Sequence, residues 1–344
     1  MKPAALTPAL YCGDPLGPIP WPEDFPLAGL PRVDQPERAQ LLLFPWYWQD
    51  FHGPINPSQL DPAQPQLAAA LAERLAHLEA CSSRLELPLL LFRYHDADTP
   101  LPHRHGWVWR TSLYASRRQP REAALPAFHA DVRTEAARLG LAAPQPLPWR
   151  PVPTVGFCGQ AMPLRLPWRQ RLRHRLRAAL GRPQPGPEGY WSRRTAMRHC
   201  QRAAPRLHAN FLLTSPEDPL PADQQKQRFL ANLFSAEYTL CGSGYGNYSY
   251  RFYEALSAGR VPVLLDSDVL LPFEEQIPWA ELIVRVPITE LGTTPQRILA
   301  FHRRFTPAAF EAHQRRLRGL WEELCTPSGF QRQLETWLRQ RFTP

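Results

Sequence analysis

The sequence predicts an α/β protein. It reads as two Rossmann-like domains with parallel sheets facing across a cleft, followed by C-terminal helices. Three observations carry this. Short apolar runs of strand length alternate with stretches of helical periodicity, the pattern of parallel sheets covered on both faces. The pattern stops at a proline-rich stretch, residues 142–153, and then restarts. The chain has 344 residues, a length suited to about two domains. On this reading an N-terminal domain spans 1–150 and a C-terminal domain spans 151–305. A helical tail, 306–344, packs back on both, and 142–153 is the hinge.

The elements follow in order. Residues 1–38 are proline-studded and read as an irregular arm. Leu41–Trp46 is a buried strand. Leu67, Leu71, Leu75 and Leu78 recur at helical spacing and predict an amphipathic helix. Leu87–Tyr94 and Trp107–Leu113 are strands, and Ala127–Leu139 is helical. The second half opens with a strand at Thr154–Cys158. A helix follows at Arg169–Arg182, with Leu172, Leu176 and Leu180 as its core-facing side and arginines on its other faces. Phe211–Leu213 is a strand, and Asp223 is placed to cap a helix at Asp223–Phe234. Glu237–Cys241, Val261–Asp266 and Leu282–Val286 are strands, and Ser249–Ala258 is a helix. From Pro295 onward the chain reads as helix, with Trp321, Leu324, Leu334, Trp337 and Leu338 as apolar faces.

Composition narrows the class. Hydrophobic residues make up 44%, enough for real cores and too many for a disordered chain. There are 41 prolines, about 12% against a usual level of roughly 5%, so the loops are proline-punctuated. The net charge is +9, and lysine occurs only at Lys2 and Lys226, so the basic excess is arginine. Such a balance suits nucleic acid, an anionic membrane or phosphorylated substrates, and it also arises from arginine-biased composition. No recognised nucleic-acid motif accompanies it, so nucleic acid is not an expected partner. The six cysteines lie far apart with no C-x-x-C pair and read as buried free thiols. No run approaches the ~18–20 apolar residues of a membrane span. Met1–Pro20 does not read as a signal peptide. The expectation is a cytoplasmic protein, peripheral to a membrane at most.

Chemistry concentrates in residues 238–279. Gly242, Gly244 and Gly246 form a turn between a strand and a helix capped by Asn247 or Ser249. Backbone N–H groups there would point outward and favour a phosphate. Ligands in open α/β sheets bind outside the carboxyl ends of strands, where this loop would lie. Arg251 and Glu254 follow at i, i+3. A guanidinium suits a diphosphate, and a carboxylate suits the hydroxyls of a ribose. A tight turn and a surface salt bridge would explain the same residues.

The chained pattern is Ser249, Arg251, Phe252, Glu254, Ala255 and Leu256, then Gly259, Pro262 and Val263, then Leu271, Pro272, Phe273, Ile277 and Trp279. It resembles the core motif of the exostosin family of glycosyltransferases. Thr154–Gly159 and Trp109–Leu113 resemble stretches of its short bacterial members. The resemblance spans residues 87–286 and is strongest toward the end of that range. It implies a GT-B architecture, a nucleotide-sugar donor on the C-terminal domain and a glycan acceptor mostly on the N-terminal one. It also implies inverting transfer, mostly from UDP-sugars, in surface polysaccharide assembly. One position departs. The resembled family carries arginine two residues after the cysteine, where this chain has Ser243, so Arg251 and Arg228 would serve instead. That departure also motivates a second reading, a nucleotide- or sugar-binding relative without turnover.

The donor-binding candidates are Gly244, Gly246, Asn247, Ser249, Arg251, Glu254, Arg228, Asp266 and Asp268. Arg110 and Ser112 are acceptor-side candidates. Asp266-Ser267-Asp268 and Asp96-Ala97-Asp98 have a D-x-D form that can hold Mg²⁺ or Mn²⁺ on a diphosphate. The motif is short, and its first copy falls inside the exostosin-like pattern, so no metal or other cofactor is expected. An inverting transfer needs a general base for the acceptor hydroxyl. Asp96 is the first candidate, Asp98 the second, with His95 beside them at the end of strand Leu87–Tyr94. Asp131 and Glu122 are weaker candidates, and His103 and His105 read as exposed. The arginines of the helix at Arg169–Arg182 suit an anionic membrane or a lipid-linked glycan.

Overall fold

A computed structural model describes residues 9–13, 27, 30–47, 64–96, 98, 105–161, 168, 169, 172, 176, 187–214 and 220–342. They fall into two compact units. The first lies within Met1–Leu113, Arg117–Leu125 and Thr326–Pro344, the second within Tyr114–Ser116 and Pro126–Cys325. Each unit holds one five-stranded parallel sheet.

The first unit contains β1 (Leu10–Tyr11), β2 (Leu41–Tyr47), α1 (Gln64–Leu85), β3 (Leu89–Arg93), β4 (Trp107–Arg110) and β5 (Glu122–Ala124). Its strands lie side by side in chain order. All five residues of β3 are buried, as a strand covered on both faces requires. Of the predicted leucine stripe, Leu75 and Leu78 pack as expected, and the side chains of Leu67 and Leu71 lie outside the described residues. Leu75 and Leu78 of α1 join Leu42, Phe44, Leu89, Leu91 and Val108 in one core.

The second unit contains α2 (Val132–Arg138), β6 (Thr154–Gly159), α3 (Pro187–Arg202), β7 (His208–Leu213), α4 (Ala222–Ser235) and β8 (Tyr238–Gly242). It continues through α5 (Tyr250–Ser257), β9 (Val261–Asp266), α6 (Trp279–Leu282), β10 (Val284–Pro287), α7 (Thr294–His302) and α8 (Pro307–Cys325). The strand order is β10-β9-β8-β6-β7. Two parallel α/β units agree with the α/β class and the two sheets that the sequence predicts. The final helix, α9 (Pro327–Phe342), belongs to the first unit. There Trp337 meets Trp107 and Trp109 edge-on at 4.8 and 5.1 Å between ring centroids.

Helix α5 stops on a Schellman turn. Gly259 has φ +67°, the Gly259 N–H bonds to Leu256 O at 2.9 Å, and the Arg260 N–H bonds to Ala255 O at 2.8 Å. A side chain there would meet the Gln314 carbonyl at 3.0 Å. The chain thus turns into β9 directly, which sets the helix close against its strand.

Several sequence expectations are corrected. Residues 142–153 are not a free hinge, because they are pinned within the second unit. The Leu147 N–H and C=O both bond to the Gln314 amide, at 2.8 and 2.7 Å. Trp149 stacks on His302 at 5.2 Å, and Arg150 O bonds to His302 Nε2 at 2.7 Å. The chain passes from one unit to the other at Leu125–Pro126. The N-cap of α4 is Pro221, and Asp223 is instead bonded to Arg138 at 3.0 Å. Leu172 and Leu176 do not face a core, being 49% and 56% exposed. Elsewhere in that helix Arg171, Arg173, Arg175, Arg177, Leu180 and Arg182 lie outside the described residues, as does His103. Strands β1 and β5 and helix α3 were not anticipated. All six cysteines are buried and free, as the sequence suggested, and burial pushes the Cys12 and Cys200 thiols up to about 12. Among the described residues no helix is long and apolar enough to cross a membrane.

Candidate functional site

Strand order locates the crevice of the second unit. Strand β6 lies between β7 and β8. The chain leaves β6 toward β7 on one side and leaves β8 toward β9 on the other. Adjacent connections therefore part at the carboxyl ends of β6 and β8, the switch point at which doubly wound sheets bind ligands. The first unit's sheet, in simple chain order, has no such reversal.

Cationic side chains converge on this switch point from three helices. Arg251, on the first turn of α5, donates to the Cys158 carbonyl at the end of β6. It also bonds to Glu254 through Nε at 3.1 Å. Its guanidinium lies 4.4 Å from the Phe229 ring of α4 and 5.3 Å from Phe157. Arg193, on α3, bridges the two strand ends by donating to Gln160 O at 2.8 Å and to Ser243 O. Lys226, on α4, stands 3.9 Å from Glu254. Arg228, exposed on the same helix, contributes its field at Cys158. Burial, together with the charge of Arg251, brings Arg193 down to about 10, so it stays cationic at neutral pH. Arg251 and Lys226 thus flank one carboxylate, Glu254, while Arg193 acts on Arg251 and Arg228 on Cys158. The excess positive charge favours an anion. Gly189 lets α3 come this close, since a side chain there would lie 2.3 Å from Ser243 O.

The glycine loop is braced to the end of β9. The Gly244 N–H turns inward to Tyr248 O at 3.2 Å. Gly246 is buried, and Ser249 is the N-cap of α5 with no side-chain cap bond. Asn247, 1% exposed, accepts from Ser267 Oγ at 2.6 Å and donates to Asp268 O at 3.4 Å. Asp268 accepts from the backbone and hydroxyl of Ser116. Asp266 accepts from Arg285 at 2.8 Å and from the Val269 N–H at 3.1 Å. These carboxylates hold the loop shape through protein donors. Among the described residues no three His, Cys, Asp or Glu side chains converge as a metal-ligand group.

The first-unit candidates gather at the carboxyl ends of β3 and β4. Asp96 is exposed. Asp98 lies 3.2 Å from Arg117 and 3.7 Å from Arg110. The His95 N–H donates to Thr111 Oγ1 at 3.1 Å, and burial pulls its pKa below the ordinary value. Arg110 is 3% exposed and bonds to Glu122, which also accepts the Gln119 N–H at 3.0 Å. Ser112 is buried. Glu122 is therefore held in an internal ion pair, which does not suit a base.

Asp131 is likewise structural. It is the N-cap of α2 and accepts the Arg133 N–H at 3.1 Å, Ser257 Oγ at 2.8 Å, and Arg318 in a fork at 2.6 and 2.7 Å. Burial raises its pKa, but these bonds and the Arg318 charge outweigh that, and the net shift is downward. A carboxyl depressed in the folded state stabilises above its unfolded pKa, about 3.9, and loses that contribution as pH falls. The urea midpoint should therefore fall below about pH 4 in the parent and change less over that range in Asp131→Asn.

Arg193 and Lys226 were not singled out from sequence. The signal for Arg193 was the helical spacing of Tyr190, Ala196, Met197 and Cys200, which places α3 before β7.

Residues 173–300 match the family model of the Exostosin GT47 domain, a span that includes α3, the glycine loop, Arg251 and Glu254. The exostosin resemblance is borne out there. A probable glucuronosyltransferase of Oryza sativa subsp. japonica is 37% identical over 60 residues, 17% of this chain and 14% of its own. Exostosin-like 1 of Homo sapiens is 32% identical over 106 residues, 31% of this chain and 15% of its own. A probable beta-1,4-xylosyltransferase of Arabidopsis thaliana is 41% identical over 61 residues, 17% of this chain and 15% of its own. The aligned regions are thus a small part of each relative. A glycosyltransferase structure from Rickettsia africae ESF-5 aligns over 98% of this chain and 99% of its own, at 7% identity and a TM-score of 0.37.

Proposed function

We propose that this chain, whose residues 173–300 match the exostosin GT47 domain, is an inverting glycosyltransferase. It moves a sugar from a nucleotide-sugar, a UDP-sugar by preference, to a glycan acceptor in surface polysaccharide assembly. The observation that carries the reading is the cluster of Arg193, Lys226, Arg228 and Arg251 at the β6/β8 switch point, inside the matched span.

The chemistry is one in-line displacement. The acceptor oxygen bonds to the anomeric carbon as the carbon–oxygen bond to the diphosphate breaks. The base takes the hydroxyl proton, and the electron pair leaves on the diphosphate. Guanidinium groups fixed before reaction stabilise the charge that develops there. Arg251 and Arg193 are assigned that role, so the reaction needs no metal. Glu254 is assigned to the ribose hydroxyls, and Asp96 to the acceptor proton. Asp98, held by two arginines, is the second candidate.

Two variants test the reading. Glu254→Ala should lose the thermal shift that UDP gives the parent while keeping the parent's melting temperature without ligand. A UDP shift equal to the parent's would sink the assignment. GDP and CMP run alongside decide the base, since a ligand that binds only the folded state raises its apparent stability. Asp96→Asn should keep UDP affinity and lose about 10²–10⁴-fold in turnover. Parent-like turnover would remove Asp96 as base. UDP binding without donor hydrolysis or transfer across acceptors would favour the non-catalytic reading that Ser243 motivates.

A further inference from the structure

We propose that the outer face of α3 is a docking ridge for a linear acidic glycan, one that carries a carboxylate or sulfate on its repeating sugars. Arg194, Arg198 and Arg202 stand at i, i+4 and i+8 and are all exposed, so they line one side of the helix. Four residues of helix rise about 6 Å, which sets the interval between them. Burial fixes the opposite side. Ser192, Ala196 and Cys200, each two residues earlier, are buried, and this turns the arginines outward.

The ridge is not neutralised by the protein. Exposed arginines elsewhere meet carboxylates: Arg84 with Glu37, Arg138 with Asp223, Arg297 with Glu290 and Arg316 with Glu323. Among the described residues Arg194, Arg198 and Arg202 have no carboxylate within 4.0 Å. Like charges at i, i+4 repel and weaken a helix, a cost that an anionic partner offsets. Guanidinium groups suit carboxylate and sulfate oxygens.

Charge and shape select the occupant. A single row with a charge about every 6 Å matches one extended chain with an anionic group on each unit. Duplex DNA presents a charge about every 1.7 Å of its axis, far denser than the ridge. The described exposed residues of α3 are Arg194, Arg198, Gln201 and Arg202. They include no apolar side chain for insertion into a bilayer and no aromatic one for stacking on bases. The same helix carries Arg193 to the β6/β8 crevice. The choice of a glycan therefore rests on the transferase reading, while the anion-binding ridge does not.

The test is binding of the full chain to immobilised polygalacturonate, which carries a carboxylate on each sugar, with neutral dextran alongside. The parent should bind polygalacturonate, release it as salt rises, and ignore dextran. Arg194→Gln, Arg198→Gln, Arg202→Gln together should weaken binding about tenfold or more, the loss of three exposed ion pairs, and keep the parent's thermal melt and UDP shift. Arg315→Gln, Arg316→Gln, Arg339→Gln removes as much charge from arginines that already have carboxylate partners, and should bind as the parent does. The proposal is overturned if the parent does not bind, if the ridge variant binds as the parent does, or if the control variant loses as much. A ridge-dependent affinity that is higher for single-stranded DNA or for phosphatidylglycerol vesicles also overturns it. A parent that binds polygalacturonate through the ridge but takes no UDP would keep the ridge and fail the transferase reading.

Discussion

Replacing Arg251 by alanine is expected to abolish measurable UDP binding and to cut glycosyl transfer by about 10²–10³-fold, the loss seen when a fixed donor to developing charge is removed. The geometry explains the size. Arg251 is aimed by three partners: the Cys158 carbonyl, Glu254 and the Phe229 ring. Its orientation is therefore set before a ligand arrives, so little reorganisation is needed on binding. Arg251→Lys should not restore activity, because an ammonium cannot keep Cys158 O and Glu254 together while offering a planar fork outward. The fold should survive. The side chain is 22% exposed, and Lys226 remains 3.9 Å from Glu254 to balance its charge. Calorimetric titration with UDP and a donor-hydrolysis assay check both halves. Parent-like UDP affinity in Arg251→Ala would remove the β6/β8 crevice as the donor site.

Much of this site was legible in the sequence, for physical reasons. Arg251 and Glu254 are three residues apart on one helix, so spacing alone places them together. The glycine loop and its flanking strands are continuous in sequence, so their order gives the strand–loop–helix turn. Arg193 was not legible. It reaches Ser243 from a helix fifty residues upstream, and that helix is mostly polar. The same limit hid the role of residues 142–153. Proline content suggests a hinge, but the contact that pins the segment is made by Gln314, 167 residues away. Leu172 and Leu176 failed differently. Their spacing is that of a core stripe, and periodicity gives which residues share a face without saying what that face meets. Strands β1 and β5, of two and three residues, are too short to carry a period at all.

Arg110 puts the distinction between a binding residue and a structural one to a second test. Its place beside Ser112 and the carboxyl end of β4 suggested contact with the acceptor. Its side chain is 3% exposed and bonded to Glu122, itself 6% exposed. Removing one member of such a pair leaves the other charge buried, at a cost of about 3–5 kcal/mol. Arg110→Ala should therefore destabilise the first unit by that amount, read as a fall in the denaturant midpoint. The double variant Arg110→Met, Glu122→Leu should recover most of the loss, because two apolar side chains of similar volume leave no charge stranded. Acceptor recognition predicts another pattern. Stability in Arg110→Ala would change little, the acceptor KM would rise, and the double variant would stay impaired. Asp98 sharpens the comparison. It lies 3.7 Å from Arg110 and 3.2 Å from Arg117, so Arg110→Ala leaves it one cation rather than two. If Asp98 takes part in proton transfer, Asp98→Asn loses turnover as Asp96→Asn does. Turnover lost only in Asp96→Asn leaves Asp96 as the base and gives Arg110 and Asp98 to the architecture of the strand ends.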